Sequence, residues 1–143
     1  MPLTLVPGDP LLTSAQMLAF GYNARGRSEV DPLHTALQFR HPAAFAAFGK
    51  QARAGRIKPG MLWVWRESVP YLGFLVIRES SVGPARLRHL QTAALTLARD
   101  YRLEGYTRVA LAGLCAPAEL PPMIEVLRYW LDPSALDVEL YVE

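Results

Sequence analysis

The 143-residue chain is poor in the residues that usually announce a chemistry. It has one cysteine, Cys115, and three histidines, His34, His41 and His89, and charged residues make up only 20% of it. A lone thiol forms neither an internal disulfide nor a cysteine-based zinc site, so the fold is expected to rest on packing alone. The histidines lie far apart without converging ligand spacing, and each reads as a surface or helix-end residue; neither a metal nor a cofactor is expected. No apolar run approaches the roughly 18 residues of a membrane span, and the start, Met1-Pro2-Leu3-Thr4, lacks the basic and apolar regions of a secretory leader. A cytoplasmic protein with no membrane partner is the expectation. Also missing are a Walker phosphate loop, Gly-x-Gly-x-x-Gly, Gly-x-Ser-x-Gly and His-Glu-x-x-His, and with them the commonest signatures of nucleotide, dinucleotide, serine-hydrolase and zinc-protease chemistry.

What is present builds a core. Hydrophobic residues reach 51%, which excludes a disordered chain, and the length suits one domain over residues 1–143. Proline and glycine fall singly between apolar segments and mark the turns. Leu3 to Val6, Met17 to Tyr22, Met61 to Trp65, Tyr71 to Ile77, Arg108 to Ala112 and Asp137 to Tyr141 read as strands, the third and fourth as paired neighbours. Asp31-Pro32 reads as N-cap and first residue of a helix through Phe39, and Pro42 begins another with Phe45, Phe48 and Ala52 at helical spacing. From Pro84, Leu87, Leu90, Ala94, Leu97 and Tyr101 recur at intervals of three and four and predict one buried helix face. A last helix from Pro121 to Leu131 turns Ile124, Leu127 and Leu131 inward. This order predicts an α/β/α sandwich around a central mixed sheet. Ligands of such sheets bind beyond the carboxyl ends of the strands, which directs attention to Asn23–Asp31, Arg78–Gly83 and Gly113–Leu120.

Charge is unevenly placed. Between Arg25 and Arg66 stand eight bases (Arg25, Arg27, Arg40, Lys50, Arg53, Arg56, Lys58 and Arg66) against the two acids Glu29 and Asp31. This stripe is either a solvated face or a surface for a phosphate-bearing partner, nucleic acid included. Trp63 and Trp65 share one strand face and either cap the core or offer a stacking platform. Cys115, just beyond a strand, reads as a small buried hydrophobe or as a thiol nucleophile whose base cannot be named.

Several segments carry a resemblance. With Leu5-Val6-Pro7-Gly8-Asp9 at the first strand end, Asn23-Ala24-Arg25-Gly26 after the second, Ala36 to Phe45 leading into Arg56-Ile57-Lys58-Pro59-Gly60, and Val109-Ala110-Leu111 before a further loop, the chain resembles a macro domain. It looks most like the bacterial antitoxin branch that removes ADP-ribose from DNA. The resemblance implies a pocket for an ADP-ribose-type nucleotide. Asp9 would hold the adenine, Asn23 with Gly26 would lie beside the ribose, and the second phosphate loop would fall at Gly113, Leu114 and Cys115. If the chain is an enzyme, the resemblance implies an ADP-ribosyl glycohydrolase working through Asn23 and the residue at position 78.

The departures from the family pattern are chemical. Glycine-rich loops admit pyrophosphate because, without Cβ atoms, their backbone N–H groups reach the oxygens. The first loop here reads Arg27-Ser28-Glu29-Val30-Asp31-Pro32, in which Pro32 has no N–H and two carboxylates oppose an anion. The second has lost every glycine after Gly113, and Pro10 removes an N–H that relatives direct at the adenine. Where the antitoxin branch has a catalytic lysine, this chain has Arg78, which stays protonated and cannot act as base or nucleophile; it can hold an anion or pair with Glu79 at the strand end. Side chains are therefore expected to fill the diphosphate space. The expected function is a non-catalytic module binding an ADP-ribose-related nucleotide or another partner in a remodelled cleft. The alternatives are a hydrolase removing ADP-ribose from nucleic acid or protein, and a nucleic-acid interaction module.

Overall fold

The computed structural model describes residues 3–29 and 31–142; Met1 and Pro2 of the leader argument and Val30 of the first loop lie outside them. Six strands form one sheet: β1 (Leu3–Val6), β2 (Met17–Asn23), β3 (Leu62–Trp65), β4 (Tyr71–Arg78), β5 (Arg108–Ala112) and β6 (Asp137–Tyr141), in the order β1-β6-β5-β2-β4-β3. Every pairing is parallel except that of the edge strand β3 with β4. Helices α1 (Pro32–Arg40) and α2 (Pro42–Arg53) follow β2, α3 (Leu87–Glu104) follows β4, and α4 (Leu120–Leu131) follows β5. This is the predicted α/β/α sandwich with a mixed sheet.

Alternation along the strands divides the core in two. Met17, Ala19, Leu75, Ile77, Val109 and Leu111 face α3 and α4, where Leu90, Ala94, Leu97, Leu127 and Leu131 are buried against them. Leu18, Phe20, Tyr22, Leu72, Phe74 and Val76 point the other way, against Leu37, Phe45 and Phe48 of α1 and α2. The second face is aromatic: Phe48 stacks on Phe74 at 4.4 Å, and Phe20 meets Phe74 edge-on at 4.8 Å. Each such ring contributes about 1.5–3 kcal/mol by leaving water. Trp63 lies against Phe48 and Phe74, and Trp65 lies beside Trp63, so both cap this core layer.

Three expectations are corrected here. The helix expected from Pro84 begins at Leu87, because the preceding residues run extended and the Arg86 N–H bonds Ile77 O at 2.9 Å. In that opening position Leu87 is 42% exposed rather than inward. In α4 Met123, which the spacing did not single out, is buried with Leu127 and Leu131, a spacing of four placing all three in line, while Ile124 packs half-buried against the same core. His34 does lie in the first turn of α1, but it is buried, 4% exposed, with Nε2 2.7 Å from Gly21 O.

Candidate functional site

β5 and β2 are neighbours whose chains leave on opposite faces of the sheet, β2 into α1 and β5 into α4. Such a switch point opens a crevice at the carboxyl ends of the strands. A cleft of about 830 Å³ lies there, lined by Asp9 beyond β1, Asp31 to Leu33 at the start of α1, Ala112 to Cys115 beyond β5, and Tyr141 at the end of β6. Gly113 has φ +60°, and a Cβ on it would stand 3.0 Å from Leu33 Cδ2 and 3.1 Å from the His34 ring. Glycine is thus required where the second loop passes α1. Among the described residues, the N–H groups of Leu114 and Cys115 meet no acceptor. The expectation that side chains fill this loop is corrected: loss of its later glycines leaves an open cleft.

Asp9 is exposed, with one carboxylate oxygen 2.9 Å from the Leu11 N–H of a short 3₁₀ turn. Asp31 caps α1 as expected: Oδ1 accepts from Leu33 N–H at 2.8 Å and His34 N–H at 3.4 Å, and His34 Nδ1 lies 3.2 Å away. Burial alone would raise its pKa, but His34 and the two amides outweigh it and hold the carboxyl below the usual aspartate value. Cys115 is half-buried, and burial, with Glu119 nearby, pushes its thiol up to about 11, which disfavours thiolate chemistry at neutral pH.

Asn23, Gly26 and Arg78 do not line this cleft. Asn23 and Arg78 are register partners across β2 and β4, where a bulge interrupts the ladder after Tyr22. Asn23 is fully buried and spends its amide on its own loop: Oδ1 accepts from Arg27 N–H at 3.0 Å, and Nδ2 donates to Arg27 O at 2.8 Å and to Glu29 Oε2 at 2.7 Å. Glu29, 8% exposed, takes the Arg78 guanidinium on its other oxygen at 2.6 Å. Arg78 also donates to Gly83 O and Ser81 O. Two expectations are thereby corrected. Glu29 is not a charge facing the phosphate space but the link between Asn23 and Arg78. The expected pairing of Arg78 with Glu79 is absent, Glu79 lying instead beside His89 and Arg88. Gly26, at φ +69°, rests its loop on Gly49 and Ala52 of α2.

Glu29 was the residue that motif reading missed. Its signal is a carboxylate six positions from a buried asparagine in an otherwise basic segment. All eight bases of the stripe are exposed, and Arg66 alone among them has a carboxylate partner within the described residues, Glu104 at 3.1 Å. No group of three or more metal-ligating side chains occurs among the described residues, nor is any described helix long and apolar enough to cross a membrane.

The sheet order, the helix layers and the crevice define a macro-domain fold, and solved macrodomains are among the structures that resemble it. The macrodomain of Thermus aquaticus DarG superposes with a TM-score of 0.88 at 17% identity, over 99% of this chain and 98% of that one. That of Mycobacterium tuberculosis DarG gives 0.83 at 17% identity, over 99% and 97%. Thermosipho africanus DarTG, solved in complex with ADP-ribose, gives 0.87 at 15% identity, over 99% of this chain and 41% of its own. No family model and no curated sequence matches the chain.

Proposed function

We propose that this chain is a non-hydrolytic macro-domain module that binds an ADP-ribose-related nucleotide in the cleft between α1 and the loop after β5. One observation carries the reading: Glu29 consumes Asn23 and Arg78, the two groups to which hydrolysis would fall, in a network outside the cleft. An amide whose two N–H donors are both spent on its own loop has no donor left for a ribose, and a guanidinium held by a carboxylate and two carbonyls offers no base. The cleft itself supports binding. It lies at the switch point, Asp9 stands exposed among its lining residues, and the N–H groups of Leu114 and Cys115, two further lining residues, meet no acceptor among the described residues.

Isothermal titration with ADP-ribose is expected to give an affinity in the high-micromolar range, and incubation with ADP-ribosylated DNA or protein is expected to release none. Release that disappears in Arg78→Ala overturns the non-hydrolytic reading, and a low-micromolar fit overturns the idea of an altered pocket. The stripe supports a second reading, a nucleic-acid partner, because among the described residues seven of its eight exposed bases have no carboxylate partner. Affinity for single-stranded DNA that falls steeply with salt is its signature, and a flat salt dependence rejects it.

A further inference from the structure

The cleft has an unbalanced charge. Asp9 and Asp31 line it, and no lysine, arginine or histidine does; leucines, prolines, Tyr141 and Val142 supply most of the remaining surface. Asp31 is fixed in place by its cap: Oδ1 is engaged by two amides and approached by His34, while Oδ2 has no hydrogen-bond partner among the described residues. The buried ring of His34 lies between this carboxylate and Gly113, meeting Asp31 through Nδ1 and the glycine's open face through Cε1. An anion laid on the second loop therefore approaches a carboxylate held charged well below neutral pH, whereas a neutral sugar presents hydroxyl donors to the same oxygens. At the first loop, Pro32 has no N–H, and the amides of Leu33 and His34 are already taken by Asp31. That helix terminus cannot offset the repulsion as an uncapped one would.

We infer that the cleft selects the nucleoside part of its ligand against added phosphate charge, with Asp31 as the specificity-determining residue. This rests on the nucleotide-binding reading above and narrows its ligand class to a nucleoside with little or no phosphate charge. Asparagine caps helices as well as aspartate, so Asp31→Asn removes the charge and keeps α1 in place.

The test is a calorimetric series of adenosine, AMP, ADP and ADP-ribose on the wild-type chain and on Asp31→Asn, at low and high salt. In the wild type, affinity is expected to fall from adenosine to the diphosphates, and diphosphate affinity to rise with salt as the repulsion is screened. In Asp31→Asn, ADP-ribose is expected to bind about tenfold more tightly with the salt effect diminished, and adenosine, which loses one hydroxyl acceptor, is expected to gain nothing. ADP-ribose binding more tightly than adenosine in the wild type, with no response to Asp31→Asn, overturns the charge selection and leaves the nucleotide-binding reading standing. No binding of any of the four to either protein overturns both.

Discussion

Two neighbouring stretches of the same sheet edge have opposite solutions. Where β2 and β4 end, three polar side chains are answered from within the chain: Glu29 bonds both Asn23 and Arg78, and these two donate to the carbonyls of the loops around them. Where β5 and β6 end, one strand over, the chain leaves a cleft in which the amides of Leu114 and Cys115 and the Oδ2 of Asp31 meet no partner among the described residues. The closed end behaves as a piece of core, in which a charge is tolerated because its partner is fixed beside it. The open end has the unpaired polar groups in an apolar crevice that mark a place for a ligand. The chain therefore concentrates its strongest polar contacts away from its best cavity.

The largest expected effect comes from breaking the closed end. Glu29→Ala leaves Asn23 Nδ2 and the Arg78 guanidinium short of an acceptor in a largely buried site. Because Arg78 is about a quarter exposed, the loss should fall at the low end of the range for broken buried pairs, about 3 kcal/mol in denaturant unfolding. Glu29→Gln, which keeps the side chain's size and one acceptor oxygen but sets an amide NH₂ against the other donor, is expected to lose less than Glu29→Ala. Adenosine affinity at the open end should move little in either variant. A change below about 0.5 kcal/mol in Glu29→Ala would mean that the two ends are not energetically different after all.

Gly21 lies between the ends and sharpens the contrast from the other side. A Cβ there would stand 3.0 Å from Leu114 O and from Ile77 Cδ1, and 3.1 Å from Gly113 O, so Gly21→Ala must push the second loop or its own strand. The expected cost is about 1–3 kcal/mol of stability, accompanied by weakened nucleoside binding. The wild-type value for both in Gly21→Ala would show that the loop after β5 is free to shift.

The frame was legible because periodicity and turn residues act locally. β5 and β6 begin and end where alternation and proline or glycine place them, and Asp31-Pro32 opens α1 with the cap its side chain dictates. Helix rotation was less legible. Burying Met123 more fully than Ile124 turns the stripe by one position, and only the sheet beneath decides it. Gly113 to Cys115 could be assigned to the cleft because strand ends mark it in any sheet of this kind, and Asp9 through the family resemblance. The closed end could not be read. Arg78 meets Glu29 across 49 residues of chain and Asn23 through a bulged register, and neither leaves a pattern in the local sequence. A basic segment containing two carboxylates reads as solvated until its partner strand is known.

The smallest expected effect isolates the cap at the open end. Asp31→Ala removes the acceptor from the amides of Leu33 and His34 and is expected to cost about 1 kcal/mol, while Asp31→Asn stays within a few tenths. The sign of the pH dependence follows from the lowered carboxyl. The unfolded chain takes up the proton near the ordinary aspartate value of 3.8 and the folded chain only below it. The stabilisation from the charged cap is therefore full above that pH and fades as pH falls through the lower folded value. The stability gap between wild type and Asp31→Ala, followed by denaturant unfolding from pH 7 downward, should hold constant and then narrow below pH 3.8. A gap that stayed open to the acid limit would show that Asp31 acts through packing rather than charge, and the charge selection inferred for the cleft would lose its physical basis.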